Sequence, residues 1–140
     1  MSELSTHLEA HHILWIRKLW EIKPYDKLRN HKNAIIKLTN AIHHGELHPM
    51  FMWRPMPLPP LWAVDGLYRA LEKATGPING IECMIEYLKS VKKSFPKDKK
   101  VLKKYLRSSA LDREDIFRVE NLLHSLQDQL DFLRSKNITD

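Results

Sequence analysis

The fold is most clearly indicated by residues 112–135, which read DREDIFRVENLLHSLQDQLDFLRS. Apolar side chains recur there every three or four residues, the spacing of one helix face. The positions in this stripe are Ile116, Val119, Leu123, Leu126, Leu130 and Leu133. We predict a final helix over about 113–135, whose stripe forms either one edge of a helical bundle or a self-association seam. Leu122 and Phe132 lie off the stripe, where a second partner could contact them.

The same apolar spacing, interrupted by Pro and Gly, predicts further helices upstream. They run from Ser5 to Ile22, from Asp26 to Gly45, from Leu61 to Ala74, from Asn79 to just before Pro96, and over a short segment after Asp98. A Pro-rich connection, residues 46–60, joins the second to the third. We therefore predict an all-α protein, a compact helical bundle of about six helices with a Pro-rich crossover loop (46–60), forming a single domain over residues 1–140.

The composition is that of a globular chain, with 43% hydrophobic and 29% charged residues. Only four Gly are present, which argues against a many-turned β sandwich or barrel. The single cysteine, Cys83, has no internal disulfide partner, as is typical of a reducing compartment. Neither a signal peptide nor a membrane span is recognised, so we expect a cytoplasmic protein with no membrane contact.

Positive charge is concentrated in the middle of the chain. Residues 23–111 hold 17 Lys and Arg against 7 Asp and Glu, a net charge of +10, whereas both ends are mildly acidic. Like charges four residues apart on a helix repel each other, so a run of them favours an anionic partner. A lysine-rich helix that is merely solvated is the alternative interpretation.

We predict that this basic region contacts nucleic acid through its phosphates. The residues predicted to bind phosphate are Lys92, Lys93, Lys99, Lys100, Lys103, Lys104 and Arg107, and the surface could extend to Arg29, Lys32 and Lys37. The sequence does not distinguish DNA-binding from RNA-binding.

Residues 48–62 combine five prolines with Met, Trp, Phe and Leu, unlike a solvated linker. This segment either packs across the protein's own bundle or offers an apolar patch to a partner. Interface cores are rich in aromatic residues and Arg, so Phe51, Trp53 and Arg54 are the predicted partner-binding residues.

Two groups of histidines have spacings that metal ligands can adopt. His7 and His11 are four apart, as two zinc ligands on one helix can be, but the adjacent Glu9 is misplaced for a metalloprotease helix. A second group, His43, His44 and His48, could bind a metal or sense pH, although histidines near a helix end more often complement its dipole. We predict no metal, no cofactor and no catalytic residue.

These observations favour a non-enzymatic accessory protein that binds nucleic acid through the basic helical face and docks on a protein partner. The second contact would use the final helix, which could also mediate self-association, or the segment around Trp53. The alternative is a protein-only adaptor or inhibitor whose basic face meets an acidic partner surface.

Overall fold

The computed structural model describes residues 8–15, 20–51, 56–94 and 113–140. Most of these residues are helical, and the remainder include a two-stranded antiparallel sheet. The strands and α-helices are β1 (Leu8–His12), α1 (Asp26–Arg29), β2 (Ile35–Thr39), α2 (Asn40–Ile42), α3 (His48–Phe51), α4 (Val64–Lys73), α5 (Pro77–Ser94) and α6 (Arg113–Ser135). A 3₁₀ turn (Lys32–Ala34) precedes β2, another (Leu61–Ala63) precedes α4, and a π-helical turn (His43–Leu47) joins α2 to α3.

The predicted all-α bundle of about six helices is wrong. Strand β1 lies inside the first predicted helix, and β2 lies in the middle of the second. The strands pair antiparallel, with Glu9 opposite Leu38 and His11 opposite Ile36. This pairing holds the polar residues of β1 beside β2, which follows about 27 residues later in the sequence.

Alternation in β2 explains the error in the second predicted helix. Ile36 and Leu38 are buried, and Lys37 between them is exposed, which is the two-residue period of a strand. The helical interpretation relied instead on Ile35, Leu38 and Ile42. Over so short a segment both periods fit, and the β-branched side chains at 35, 36 and 39 favour the strand.

Three of the predicted helices, those over Leu61–Ala74, from Asn79 to just before Pro96, and over 113–135, are confirmed as α4, α5 and α6. Helix α5 is central, because α4, α6, β2 and the 3₁₀ turn Lys32–Ala34 all pack against it. Its buried side chains include Ile81, Met84 and Leu88. Among the described helices, none is long and apolar enough to cross a membrane.

The buried face of α6 differs slightly from the predicted stripe. Val119, Leu126, Leu130 and Leu133 are buried as expected, but Leu122 is fully buried too, rather than free for a second partner. The amide of Gln129 is also completely buried in this face. A polar side chain in the core needs hydrogen-bond partners, and those of Gln129 define the site described below.

The Pro-rich crossover is shorter than predicted, because residues 46–51 belong to the π-turn and α3. Residues 56–60 have no regular structure, yet Met56 is fully buried. The Trp20 indole donates to the Met56 carbonyl at 3.0 Å, and the Tyr25 hydroxyl donates to the Pro59 carbonyl at 3.0 Å. This part of the segment therefore packs across the protein's own core.

Candidate metal centre

Strand β1 presents a carboxylate and an imidazole on one face. Glu9 and His11 are two residues apart, and alternate residues of a strand point the same way. His11 is the one fully buried side chain of β1, with 1% exposure, and Glu9 is partly buried. The strand thus directs its most buried group, an imidazole, toward the helical turn after β2.

The π-turn supplies the remaining imidazoles. In an α-helix, residues five apart point about 140° away from each other. The wider i→i+5 bonding of a π-turn brings such residues nearly onto one side, and turns of this kind are common at functional sites. His43 and His48 are related in this way, and their ring centroids are 4.4 Å apart. His44 lies next to them, with its ring 4.9 Å from that of His48.

Three imidazoles from these two elements converge. One ring nitrogen from each of His11, His43 and His48 lies within 4.8 Å of the others. We call these three residues the inner histidines. A tetrahedral zinc ion with bonds of about 2.0–2.1 Å needs ligand nitrogens roughly 3.3 Å apart. Rotations that move the rings inward by about an ångström would therefore complete a three-nitrogen site.

Gln129 fixes the orientation of the His11 ring. Its amide nitrogen donates to the Ile13 carbonyl at 3.1 Å, which leaves the amide oxygen to accept from Nε2 of His11 at 2.7 Å. Because Nε2 carries the proton, the lone pair of His11 is on Nδ1. Burial lowers the pKa of His11 to about 3, so the ring is neutral near pH 7, as a metal ligand must be.

Glu9 holds His43 in a similar way. Its Oε1 lies 3.1 Å from Nδ1 of His43 and 3.1 Å from Nε2 of His44, and its Oε2 accepts from the Asn40 amide at 3.2 Å. The hydrogen bond from His43, followed by that from Asn40, lowers the pKa of Glu9, so the carboxylate is ionised. Nδ1 of His43 therefore donates, and its lone pair is on Nε2. Such carboxylate–histidine pairs orient ligands in metal sites.

The cluster lies at the edge of the core. His11 and His43 are buried, His48 is partly exposed, and the side chain of His44 is 51% exposed. The Trp15 ring packs edge-on against His11 and His48, with centroid separations of 4.9 and 5.5 Å. Solvent therefore reaches the cluster from the side of His44 and His48.

The sequence treated the histidines as two separate groups and predicted no metal. His11 lies on a strand, so the helical spacing from His7 does not apply to it, and His7 is outside the described residues. The structure instead joins His11 to His43 and His48. The Glu9-x-His11 alternation was a usable signal, but only with a strand assignment. Nothing in the sequence marked Gln129 as their partner.

The predicted phosphate-binding residues do not form one compact cluster among the described residues. Lys92 and Lys93 are exposed in the last turn of α5. Lys32 lies in the 3₁₀ turn that approaches Gly80, about 20 Å from Lys93 along the helix axis. Lys37 is exposed on β2 and Arg29 is partly buried at the end of α1. Outside the described residues are Lys99, Lys100, Lys103, Lys104 and Arg107.

The predicted partner-binding residues are not placed by the structure. Phe51 ends α3, but its side chain is outside the described part of the molecule, as are Trp53 and Arg54. No protein-family model, curated protein or solved structure matches this chain.

Proposed function

We propose that this protein binds a divalent transition-metal ion through His11, His43 and His48. The observation that supports the proposal is the convergence of three ring nitrogens within 4.8 Å. Two of the three rings are also held by a hydrogen bond on one nitrogen, His11 to Gln129 and His43 to Glu9. In the neutral form of each of these two rings, the lone pair is on the nitrogen that makes neither of these hydrogen bonds, where a metal ion can bind it.

The donor set favours zinc or a chemically similar ion. Imidazole nitrogen suits Zn²⁺, Cu²⁺ and Ni²⁺, whereas Mg²⁺ and Ca²⁺ prefer sets of oxygen ligands. A set of three imidazole ligands is also the set that three-ligand zinc sites of proteins use. We expect Zn²⁺ to bind with a stoichiometry of one ion per chain, and Mg²⁺ not to compete with it.

The test is a zinc titration of the chelator-stripped protein against a chromophoric competitor, with bound metal counted by elemental analysis. His43→Ala removes a central ligand together with its contact to Glu9, and we expect it to weaken zinc binding by at least about 100-fold. The matched control is His124→Ala, which removes an exposed imidazole on α6. It should leave the affinity unchanged.

Two results would contradict the proposal. One is wild-type protein that binds no zinc. The other is an equal loss of affinity in the His43→Ala and His124→Ala proteins, because that pattern indicates scattered surface sites. Circular dichroism of both variants establishes that they remain folded, and His48→Ala, at a partly exposed ring, provides a second ligand variant with less disturbance of the core.

A further inference from the structure

We propose that an ion held by the inner histidines keeps a fourth coordination position open to water or to a small anion. This inference rests on the proposed function and specifies the kind of ligand that the site accepts. A metal centre with three protein ligands can exchange its fourth ligand with solvent, whereas a structural site with four protein ligands is closed. We propose the first kind.

The first step is the donor count. Within the described residues, the ligand group that includes His11 and His48 contains only one further donor, His43. The other group consists of Glu9, His43 and His44, so it shares only His43 with the first. The two groups therefore do not merge into a single four-ligand set.

The second step concerns Glu9, the nearest candidate for a fourth protein ligand. Its Oε1 already accepts from His43 and lies 3.1 Å from Nε2 of His44, and its Oε2 accepts from Asn40, so both oxygens have partners. These contacts hold it against Nδ1 of His43, the nitrogen that faces away from the lone pair on Nε2. Glu9 therefore orients a ligand and does not itself fill the fourth position.

The third step concerns His44. Its Nε2 is directed at Glu9, 3.1 Å away, and half of its side chain is in solvent. Trp15 covers the inner histidines on one side, so access remains on the side of His44 and His48. A ligand entering there meets a dication whose three imidazole ligands are neutral, with Glu9 as the adjacent anion. That charge balance favours water, hydroxide or a small anionic oxygen or nitrogen donor.

Cobalt and azide provide the test. Co²⁺ substitutes for zinc, and its visible absorption bands depend on coordination number and ligand identity. In the full-length chain loaded with one Co²⁺, added azide should shift these bands in a saturable manner with a 1:1 stoichiometry. The Glu9→Ala and His44→Ala proteins should give the same azide response, although Glu9→Ala should bind cobalt about 10–100-fold more weakly.

The outcomes separate this inference from the proposed function. Bound cobalt whose spectrum is unchanged by azide overturns the open position and leaves metal binding intact. An azide response that appears only in Glu9→Ala, or only in His44→Ala, also overturns it, because the substituted residue then was the fourth ligand. Failure of wild-type protein to bind cobalt or zinc overturns both proposals.

Discussion

Gln129 shows how one residue determines the chemistry of the site. It lies on the apolar face of α6, yet its amide is fully buried and both of its polar atoms are hydrogen-bonded. A leucine of similar size would suit the surrounding core. The polar side chain instead sets which nitrogen of His11 carries the proton.

Replacing Gln129 with Leu should therefore affect stability and metal binding together. The change leaves Nε2–H of His11 and the Ile13 carbonyl without their partner, at a cost of about 1–3 kcal/mol in unfolding free energy. It also frees the ring to rotate, so zinc affinity should fall about 10–100-fold. Chemical denaturation and competitive zinc titration measure the two effects.

The control is Gln127→Leu, which removes a surface amide whose contact is Asp131 on the same helix. It should change the unfolding free energy by no more than about 0.5 kcal/mol. Equal zinc affinity in wild-type and Gln129→Leu protein would show that Gln129 does not orient His11.

His31 makes a pH-dependent contribution to the free energy of unfolding, and it lies outside the candidate metal site. Its Nδ1 accepts from the Asn33 backbone N–H at 3.0 Å and so caps the 3₁₀ turn before β2. Burial, the larger cause, and the nearby Lys32 lower the pKa of His31 below 6.5. Because the pKa of His31 is lower in the folded protein than in the unfolded chain, the unfolded chain binds a proton at a higher pH. The stabilisation from His31 is therefore complete above about pH 6.5, and it is lost as the pH falls below that value.

His31→Asn tests this assignment, because asparagine can accept the same hydrogen bond without titrating. We expect wild-type protein to lose more unfolding free energy than the variant between about pH 7.5 and 5.5. Both are measured with EDTA present, which keeps metal binding out of the comparison. Parallel pH profiles for the two proteins would refute a role for His31 titration.

Strand β1 is an element whose position depends on polar contacts. Two-stranded pairings are marginal in isolation, and within β1 the one fully buried side chain is that of His11. A metal bound to His11, His43 and His48 would connect this strand directly to the π-turn. Ligand binding lowers the population of open states by mass action.

Zinc should therefore slow amide hydrogen exchange over residues 8–12 by up to about 100-fold when its free concentration is about 100 times the dissociation constant. Mass spectrometry of peptides from this region measures the effect. His48→Ala is the control, since it removes a ligand without altering β1 itself, and should show no zinc dependence. Unchanged exchange in wild-type protein with zinc bound would mean that β1 opens independently of the site.

The helices differ in how far the sequence predicted them. In α4, α5 and α6 the apolar period extends over ten residues or more, and the first two are followed by Gly or Pro, so the helical interpretation was confirmed. The first two predicted helices were wrong as continuous helices, because β1 lies in the first, and β2 interrupts the second between two short helices. Segments of five residues satisfy helical and strand periods almost equally, and pairing between β1 and β2 decided the outcome.

At the scale of the whole molecule, nucleic-acid binding stays a prediction. Lys92 and Lys93 are exposed on α5, and among the described residues neither forms an ion pair with an acidic side chain. If the basic region binds phosphate, log affinity for an oligonucleotide should fall linearly with log salt. Replacing Lys99, Lys100, Lys103 and Lys104 with Gln should reduce that slope by roughly 0.9 for each phosphate that is no longer neutralised.

The matched control neutralises two lysines whose charge is already paired. Lys27 lies 3.1 Å from Asp65, and Lys136 is bonded to Glu46, so their replacement by Gln should change the slope little. Fluorescence anisotropy with duplex and single-stranded oligonucleotides gives the affinities. Absence of binding even at low salt would exclude the nucleic-acid role and favour an acidic protein partner instead.

The sequence by itself determined the long helices and the charge distribution, because both depend on residues that are close together along the chain. It also contained every donor of the candidate metal site, in two groups about thirty residues apart. Only the tertiary structure joined them. The β1–β2 pairing and the buried amide of Gln129 depend on contacts between distant segments, and together with the π-turn they bring three imidazoles close to one another.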